Sequence, residues 1–348
     1  MNYKIKEISQ IVNGSTPSTS NSAFWNGNII WITPKDLTNF SERYIYKGHI
    51  NITQEGYKSC STKLVPKGTI LLSSRAPIGY IAIAGNELCT NQGFKSIICN
   101  EKVNNFYLYY WLLKNVDYLK SISSGATFKE LSKDTLENVE INLPSLTEQQ
   151  HIVNTIGSID DLIENYDKQL EKIKIILRDK YKSYDNLNKI KLGDVATIKT
   201  GKLNADACCQ NGIYPFFTCS EKPLNINVYA FDGPSILLSG NGSQLGYLNF
   251  YDGKFNAYQR TYVIQSNKIY SIYASLLCNI DQIINQACGS AIPYITKPMI
   301  ENLYIFEFDK ITEKIFKILI VKMQHINKEK SLLIKLKQTL LNKYFTNQ

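Results

Sequence analysis

The chain has 348 residues, of which 44% are hydrophobic, and its 39 Lys and Arg against 30 Asp and Glu give a formal net charge of +9. This length suits two globular domains with connecting elements, and the hydrophobic content excludes a disordered chain. No run approaches the ~18 apolar residues of a membrane span and no secretory signal core is seen, so a cytoplasmic protein is expected. The basic surplus suits a polyanionic partner.

The first part of the chain predicts a domain of mixed strands and helices. Apolar runs bounded by turn residues predict strands at 68–74 and 79–84, and a short helix is expected at 106–120. The capping-box pattern Ser145-x-x-Glu148 then indicates the start of another helix.

The predicted helix after Ser145 carries apolar residues at alternating spacings of four and three. Its members are Ile152, Ile156, Ile159, Ile163, Tyr166, Leu170, Ile173 and Leu177. A sustained heptad seam of this kind is typical of a coiled coil, which requires a partner helix.

The second part of the chain predicts the same kinds of element. A strand is expected at 234–239, a helix at 269–287, and a second long helix near the end. The apolar residues of that last helix are Leu319, Ile326, Leu333 and Leu340, joined by Ile315 and Leu336 and interrupted by Lys322 and Glu329. The other long helix is the obvious partner. The alternative is that each helix packs only on its own globular domain, but a heptad seam is narrower than a globular helix face.

The two halves of the chain match each other in order, which indicates a duplication. The matches include 70–73 with 236–239, 137–139 with 301–303, Thr147-Glu148 with Thr312-Glu313, and Lys180-Tyr181 with Lys343-Tyr344. The predicted fold class is α+β: two mixed α/β domains in a pseudo-twofold repeat, separated by two long helices that form an antiparallel coiled coil. The predicted segments are a first domain (1–146), a central helix (147–187), a second domain (188–310) and a C-terminal helix (311–348).

Catalytic and metal-binding motifs are missing from the sequence. It has no Gly-x-x-x-x-Gly-Lys-Ser/Thr loop for nucleotide phosphates and no Asn/Asp-Pro-Pro-Tyr segment for an amino-methyltransferase. The histidines, His49, His151 and His325, stand at no metal-ligand spacing, and the eight cysteines form no CxxC pair. We therefore expect no catalytic residue and no metal site.

Short polar loops in both halves carry side chains that are able to contact DNA. The candidates are Ser74, Arg75, Asn91, Gln92, Lys95, Thr127 and Lys129 in the first half, and Asn241, Gln244, Gln259, Arg260, Ser290 and Tyr294 in the second. In the major groove, Arg pairs with guanine and Asn or Gln with adenine, while Lys and Ser hold phosphates. For each residue the alternative interpretation is an ordinary polar turn.

Together these features resemble the specificity subunits of type I restriction–modification systems. The resemblance extends over the whole chain and rests on the duplication and on several segments. These are 8–19, 30–37 and 139–152 in the first half, and 191–201, 214–220, 289–303 and 340–345 in the second. The second half departs from the pattern after Leu303, because it lacks the Leu-Pro-Ser and Gln-Gln of the first half.

The resemblance implies two target-recognition domains that each recognise one half of a bipartite, asymmetric DNA target, with the helix pair setting the spacer. It also implies a non-catalytic chain that works with two modification subunits and with restriction subunits. S-adenosylmethionine, ATP and Mg²⁺ would be bound by those partners, and this chain would bind no cofactor.

Two other classes of function remain open from the residues alone. One is a free-standing DNA methyltransferase with degenerate motifs, which would bind S-adenosylmethionine by itself. The other is a coiled-coil scaffold unrelated to DNA, which would bind no duplex even beside modification subunits.

Overall fold

The computed structural model describes residues 1–125, 129–184, 188–220, 222–289 and 292–345. The chain forms two compact units, one of Met1–Glu164 with Leu332–Gln348 and the other of Asn165–Ser331. Each unit holds one mixed α/β domain together with a segment of each long helix. No helix in the described ranges is long and apolar enough to cross a membrane.

The domain of the first unit is built around a sheet covered on both faces. Its strands are β1 (Asn2–Lys4), β2 (Ser9–Asn13), β3 (Trp25–Ile29), β4 (Trp31–Ile32), β5 (Tyr44–Ile45), β6 (Ile70–Ser74), β7 (Ile78–Ala84), β8 (Cys89–Thr90), β9 (Phe94–Cys99) and β10 (Glu140–Asn142). Its helices are α1 (Ile5–Ile8), α2 (Gln54–Lys58), α3 (Asn105–Lys114), α4 (Val116–Ser121) and α5 (Lys133–Glu137). The main sheet has the order β2-β9-β6-β7-β5. In β6, Ile70 and Leu72 pack into one apolar cluster and Leu71 into another, as expected for a strand with no solvent face.

The helix predicted at 106–120 is two shorter helices. They meet at Asn115, which leaves helical geometry and donates its side-chain amide to the Trp111 carbonyl at 2.9 Å. Asn competes for backbone hydrogen bonds in this way, so it ends a helix that apolar periodicity alone would continue.

The long helix α6 (Leu146–Lys182) leads to the second domain, which repeats the first. Its strands are β11 (Lys189–Lys191), β12 (Thr197–Thr200), β13 (Tyr214–Phe217), β14 (Leu224–Ile226), β15 (Ser235–Ser239), β16 (Leu248–Tyr251), β17 (Asn256–Ala257), β18 (Thr261–Gln265) and β19 (Tyr304–Phe306), with helices α7 (Leu192–Val195), α8 (Ile269–Ile284) and α9 (Lys297–Glu301). The order β12-β18-β15-β16 matches β2-β9-β6-β7. Ile70 faces Ile97 as Ile236 faces Ile264, so the predicted duplication is confirmed in strand register.

The last helix, α10 (Lys310–Phe345), begins in the same way as α6. The Gln149 amide donates to the Ser145 carbonyl at 2.9 Å, and the Glu313 amide donates to the Asp309 carbonyl at 3.0 Å. Asp309 thus takes the place of the serine cap that the second half lacks. Gln149 and Glu313 are therefore equivalent, so Thr312 corresponds to Glu148. The sequence match of Thr147-Glu148 with Thr312-Glu313 was thus wrong by one residue.

Within each unit the two long helices contact each other. In the second unit Tyr166 donates to Glu329 at 2.5 Å, and the hydroxyls of Tyr184 and Thr312 lie 3.1 Å apart, so the segments run antiparallel. Each unit's core contains residues of both helices and of its domain. The predicted α+β fold with an antiparallel pair of long helices is confirmed.

Burial along the helices follows most of the predicted seam. The buried members are Ile152, Ile156, Ile159, Leu170, Ile173, Leu177 and Ile326, and the half-buried members are Ile163, Tyr166, Leu319, Leu333 and Leu340. The predictions for Ile315 and Leu336 were wrong, because these residues are 37% and 46% exposed. The neighbouring Lys337 turns inward to pair with Asp160 at 2.7 Å, and one residue of an α-helix is a 100° rotation, which turns Leu336 outward.

Candidate nucleic-acid interface

The tip of the β6–β7 hairpin presents Arg75 to solvent. Its side chain is 40% exposed, directly after a strand that is buried throughout. Ser74, by contrast, is fully buried, and its amide donates to the Gly93 carbonyl at 2.7 Å. The expectation that Ser74 contacts DNA is therefore corrected: its amide hydrogen-bonds the loop that holds Gly93, and its side chain faces the interior.

The loop of Asn91, Gln92 and Gly93 lies against the end of β2. The Gly93 amide donates to Asn91 Oδ1 at 2.9 Å, which closes the turn and occupies that side chain, while Gln92 is exposed and accepts a hydrogen bond from Thr16. A Cβ on Gly14 would lie 2.1 Å from the Asn91 carbonyl oxygen, so only glycine fits this approach.

Lys95 differs from its predicted role as a phosphate contact. It lies on β9 in the middle of the covered sheet, facing Leu72, and its side chain is 7% exposed. Its ammonium group is 3.5 Å from the carboxylate of Glu130. A buried ammonium requires such a partner, so Lys95 is corrected to a buried counter-charge.

Glu130 is a candidate site residue that the sequence analysis missed. It lies 3.9 Å from the Arg75 guanidinium and is itself 43% exposed. Its backbone pairs with Ser124, and the Leu131 amide donates to the Ser74 carbonyl at 2.9 Å. These bonds place Glu130 beside Arg75. Lys129 is exposed in the same segment, and Thr127 lies outside the described residues.

The second domain brings three predicted residues together. Asn241, Arg260 and Tyr294 line a surface pocket of about 400 Å³ with Ile292. Asn241 and Tyr294 are joined by a backbone bridge. Gln244 and Gln259 are exposed in neighbouring loops, and Ser290 lies outside the described residues.

Backbone hydrogen bonds show that the two loop clusters are equivalent. In the first domain the Ser74 amide donates to the Gly93 carbonyl, and in the second domain the Gly240 amide donates to the Arg260 carbonyl at 2.9 Å. Likewise, the Leu131 amide donates to the Ser74 carbonyl, and the Ile295 amide donates to the Gly240 carbonyl, both at 2.9 Å. It follows that Arg75 corresponds to Asn241, Gly93 to Arg260, and Glu130 to Tyr294. The same backbone thus presents different polar groups in the two domains.

An ionic network secures the first domain to α6. Arg43 Nε donates to Glu164 at 2.7 Å and Arg43 also pairs with Asp161. This hydrogen bond holds the pKa of Glu164 below its ordinary value. Nearby, Tyr110 donates to Asp160 at 2.8 Å, and burial together with that carboxylate raises the pKa of Tyr110. The loop cluster is therefore carried on a domain with a defined attachment to the helix.

Metal binding and thiol reactivity would depend on the histidines, cysteines and carboxylates of the described residues. Among them, no group of His, Cys, Asp and Glu is arranged to hold a metal ion. Burial raises the pKa of Cys89 and of Cys99 to about 12, so both thiols stay protonated at neutral pH.

Comparison with known proteins gives matches to a single family. A family model described as the type I restriction modification DNA specificity domain matches residues 1–175 and again 184–336. The "Type I restriction enzyme MjaIX specificity subunit" of Methanocaldococcus jannaschii is 38% identical over 352 aligned positions, covering 87% of this chain and 81% of the relative. The "Type I restriction enzyme EcoDI specificity subunit" of Escherichia coli is 46% identical over 118 positions, covering 33% of this chain and 26% of the relative.

A solved structure shares the fold. The type I restriction–modification S subunit from M. genitalium superimposes with a TM-score of 0.64 at 18% identity, covering 99% of this chain and 95% of that one. The family model matches each half of this chain once, in agreement with the two equivalent loop clusters. The chain belongs to the family of specificity subunits of type I restriction–modification systems.

Proposed function

We propose that this specificity subunit recognises a bipartite, asymmetric DNA target, one half with each domain. The observation that carries the proposal is the pair of equivalent loop clusters. Their backbones match bond for bond, but Arg75 and Glu130 in one correspond to Asn241 and Tyr294 in the other. Base edges are distinguished by the donors and acceptors that a protein presents, so unlike side chains on like backbones recognise unlike half-sites.

Charge and exposure support a DNA partner. The chain has a formal net charge of +9, and exposed Lys129, Arg260 and Gln259 lie in or beside the loop clusters. Contacts from basic residues to phosphates release counterions and supply affinity without sequence preference, while base contacts supply the specificity.

The partners follow from the same proposal. Two modification subunits dock on the duplicated chain and methylate one adenine in each half-site, and restriction subunits join for cleavage of unmodified DNA. Those partners bind S-adenosylmethionine, ATP and Mg²⁺, while this chain binds DNA and no cofactor. We place the complex in the cytoplasm, because its DNA substrate is there.

A domain exchange tests this function. Residues 188–310 are replaced by the corresponding segment of a relative, and the methylated adenines of cells expressing the chimera with its modification subunits are mapped by sequencing. We expect only one half of the methylated motif to change, because each loop cluster belongs to its own domain.

The matched control exchanges residues 1–146 and must change the other half. If both halves changed together in either chimera, the two domains would not recognise DNA independently. If methylation did not depend on this chain at all, the DNA role itself would be wrong.

A further inference from the structure

The ionised groups around the β6–β7 hairpin form a chain of three charges. Lys95 is buried, Glu130 lies 3.5 Å from it, and Arg75 lies 3.9 Å from the other carboxylate oxygen. The exposed fractions rise along this chain, from 7% for Lys95 to about two fifths for Glu130 and Arg75. A buried cation thus holds a carboxylate at the surface next to an exposed guanidinium.

We propose that Arg75 and Glu130 together recognise one G·C base pair in the first half-site. The inference rests on the proposed function and names the residues that give the first domain its specificity. In this arrangement Arg75 donates hydrogen bonds to guanine, Glu130 accepts one from cytosine, and Lys95 is the counter-charge that holds Glu130 in place.

The chemistry of the major groove supports this assignment. A G·C pair presents two acceptors on guanine, N7 and O6, and one donor on cytosine, the N4 amino group. Arginine matches the acceptors and a carboxylate matches the donor. An A·T pair would set the thymine O4 acceptor against a carboxylate, so the same residues would reject it.

The position of the carboxylate is determined by the fold. Glu130 pairs through its backbone with Ser124, and the next amide, of Leu131, donates to Ser74 at 2.9 Å. Arg75 follows Ser74 directly, so the donor and acceptor side chains start from adjacent segments joined by this hydrogen bond. Such preorganisation limits the entropy lost on binding.

The second domain has the same fold without the charged pair. At the equivalent positions it has Asn241 and Tyr294, and Tyr262 stands where Lys95 does. Leu238 faces Tyr262 as Leu72 faces Lys95. Lys95 and Glu130 therefore occur together in one copy and are absent together from the other, as expected if the charged pair serves the recognition of one half-site.

The test uses the full chain with its modification subunits in cells, and the readout is the methylated motif. Glu130→Gln keeps the shape of the side chain but adds an amide donor. We expect discrimination at one G·C position of the first half-site to fall by a factor on the order of ten, with every other position unchanged. Arg75→Ala is expected to relax the same position.

Glu137→Gln is the matched control. Glu137 also lies 3.5 Å from a lysine, Lys133, but on α5, which packs against α1 and β2. This variant should methylate the wild-type motif.

The double variant Lys95→Met/Glu130→Gln separates recognition from folding, because it leaves no buried ammonium unpaired. With this double variant, the methylated motif should also lose discrimination at the same G·C position of the first half-site. This holds even if Glu130→Gln alone fails to fold. A wild-type motif from either Glu130 variant would overturn the inference. So would a complete loss of methylation by an assembled double variant, or relaxation by Arg75→Ala at a different position.

The same experiment separates this inference from the proposed function. If the wild-type complex methylates a motif that depends on this chain and the Glu130 variants leave that motif unchanged, only the inference fails. If methylation does not depend on the chain, the proposed function fails as well.

Discussion

At the residue scale, glycine allows the loops of the candidate interface to approach the sheet. A Cβ on Gly14 would lie 2.1 Å from the Asn91 carbonyl oxygen, and one on Gly201 would lie 1.7 Å from the Ala257 carbonyl oxygen. Each glycine follows the first long strand of its domain, β2 or β12. A side chain at either position would have to displace backbone, and packed interiors resist such displacement.

We expect Gly14→Ala to lower the free energy of unfolding by about 1–3 kcal/mol, because the added methyl group forces the Asn91 loop outward. Gly157→Ala is the control within the same unit. It lies inside α6, where a Cβ would make ordinary contacts with the Tyr110 hydroxyl at 3.7 Å and Arg43 Nη1 at 3.9 Å, so it should be stabilising by about 0.5–1 kcal/mol. Thermal unfolding of the full chain measures both. Equal midpoints for Gly14→Ala and wild type would contradict the close approach.

At the element scale, a residue of each long helix accepts a backbone hydrogen bond at the start of a domain helix. Lys268, at the start of α8, makes no side-chain capping bond. Glu313 of α10 supplies one instead, because its carboxylate accepts from the Tyr270 amide at 3.1 Å and the Ser271 amide at 2.9 Å. In the first unit the equivalent Gln149 accepts from the Asn104 amide at 2.8 Å, while the Asn104 side chain itself caps α3 by accepting from the Phe106 and Tyr107 amides. Each domain is thus hydrogen-bonded to a long helix at the start of a domain helix.

Glu313→Ala should therefore destabilise the second unit by about 1–2 kcal/mol, because it removes a cap and a charge that interacts favourably with the helix dipole. Glu313→Gln should lose less, since the amide oxygen of glutamine can still accept from a backbone amide, as that of Gln149 accepts from Asn104. Chemical denaturation of the full chain gives both values. The capping role would be wrong if Glu313→Gln cost as much as Glu313→Ala, or if neither variant differed from wild type.

At the scale of the whole molecule, we expect the length of the two long helices to set the length of the DNA spacer between the two half-sites. Helix α6 has 37 residues, which corresponds to about 55 Å. Leu170, Ile173 and Leu177 are buried on one face of its second half. A change in length that keeps this face inward should alter the spacer between half-sites and leave base recognition unchanged.

Inserting four residues near Glu171 adds about 6 Å and only about 40° of rotation beyond a full turn, so the buried face can persist as a local stutter. We expect a longer spacer, with both half-sites unchanged, when the methylated motif is mapped. A two-residue insertion is the control: it rotates the face by about 200° and should abolish assembly. Active methylation with an unaltered spacer in the four-residue variant would show that the helices do not set the spacing.

The sequence by itself determined the duplication, the two long helices and the family. These features depend on local patterns, such as capping residues, heptad spacing and ordered repeats, which neighbouring residues specify without reference to the fold. Arg75, Asn241, Arg260 and Tyr294 were also candidates from the sequence, because polar side chains next to a strand end or turn tend to be on the surface. Their contacts with DNA stay a prediction.

Only the tertiary structure decided which polar residues are buried and which charges meet. Ser74 and Lys95 belong to strands covered on both faces, so their burial depends on layers contributed by distant segments. Leu336 turns outward because Lys337 pairs with Asp160, 177 residues earlier in the chain (337 − 160 = 177). Glu130 follows no motif, and its role depends on the backbone bond that sets Leu131 beside Ser74.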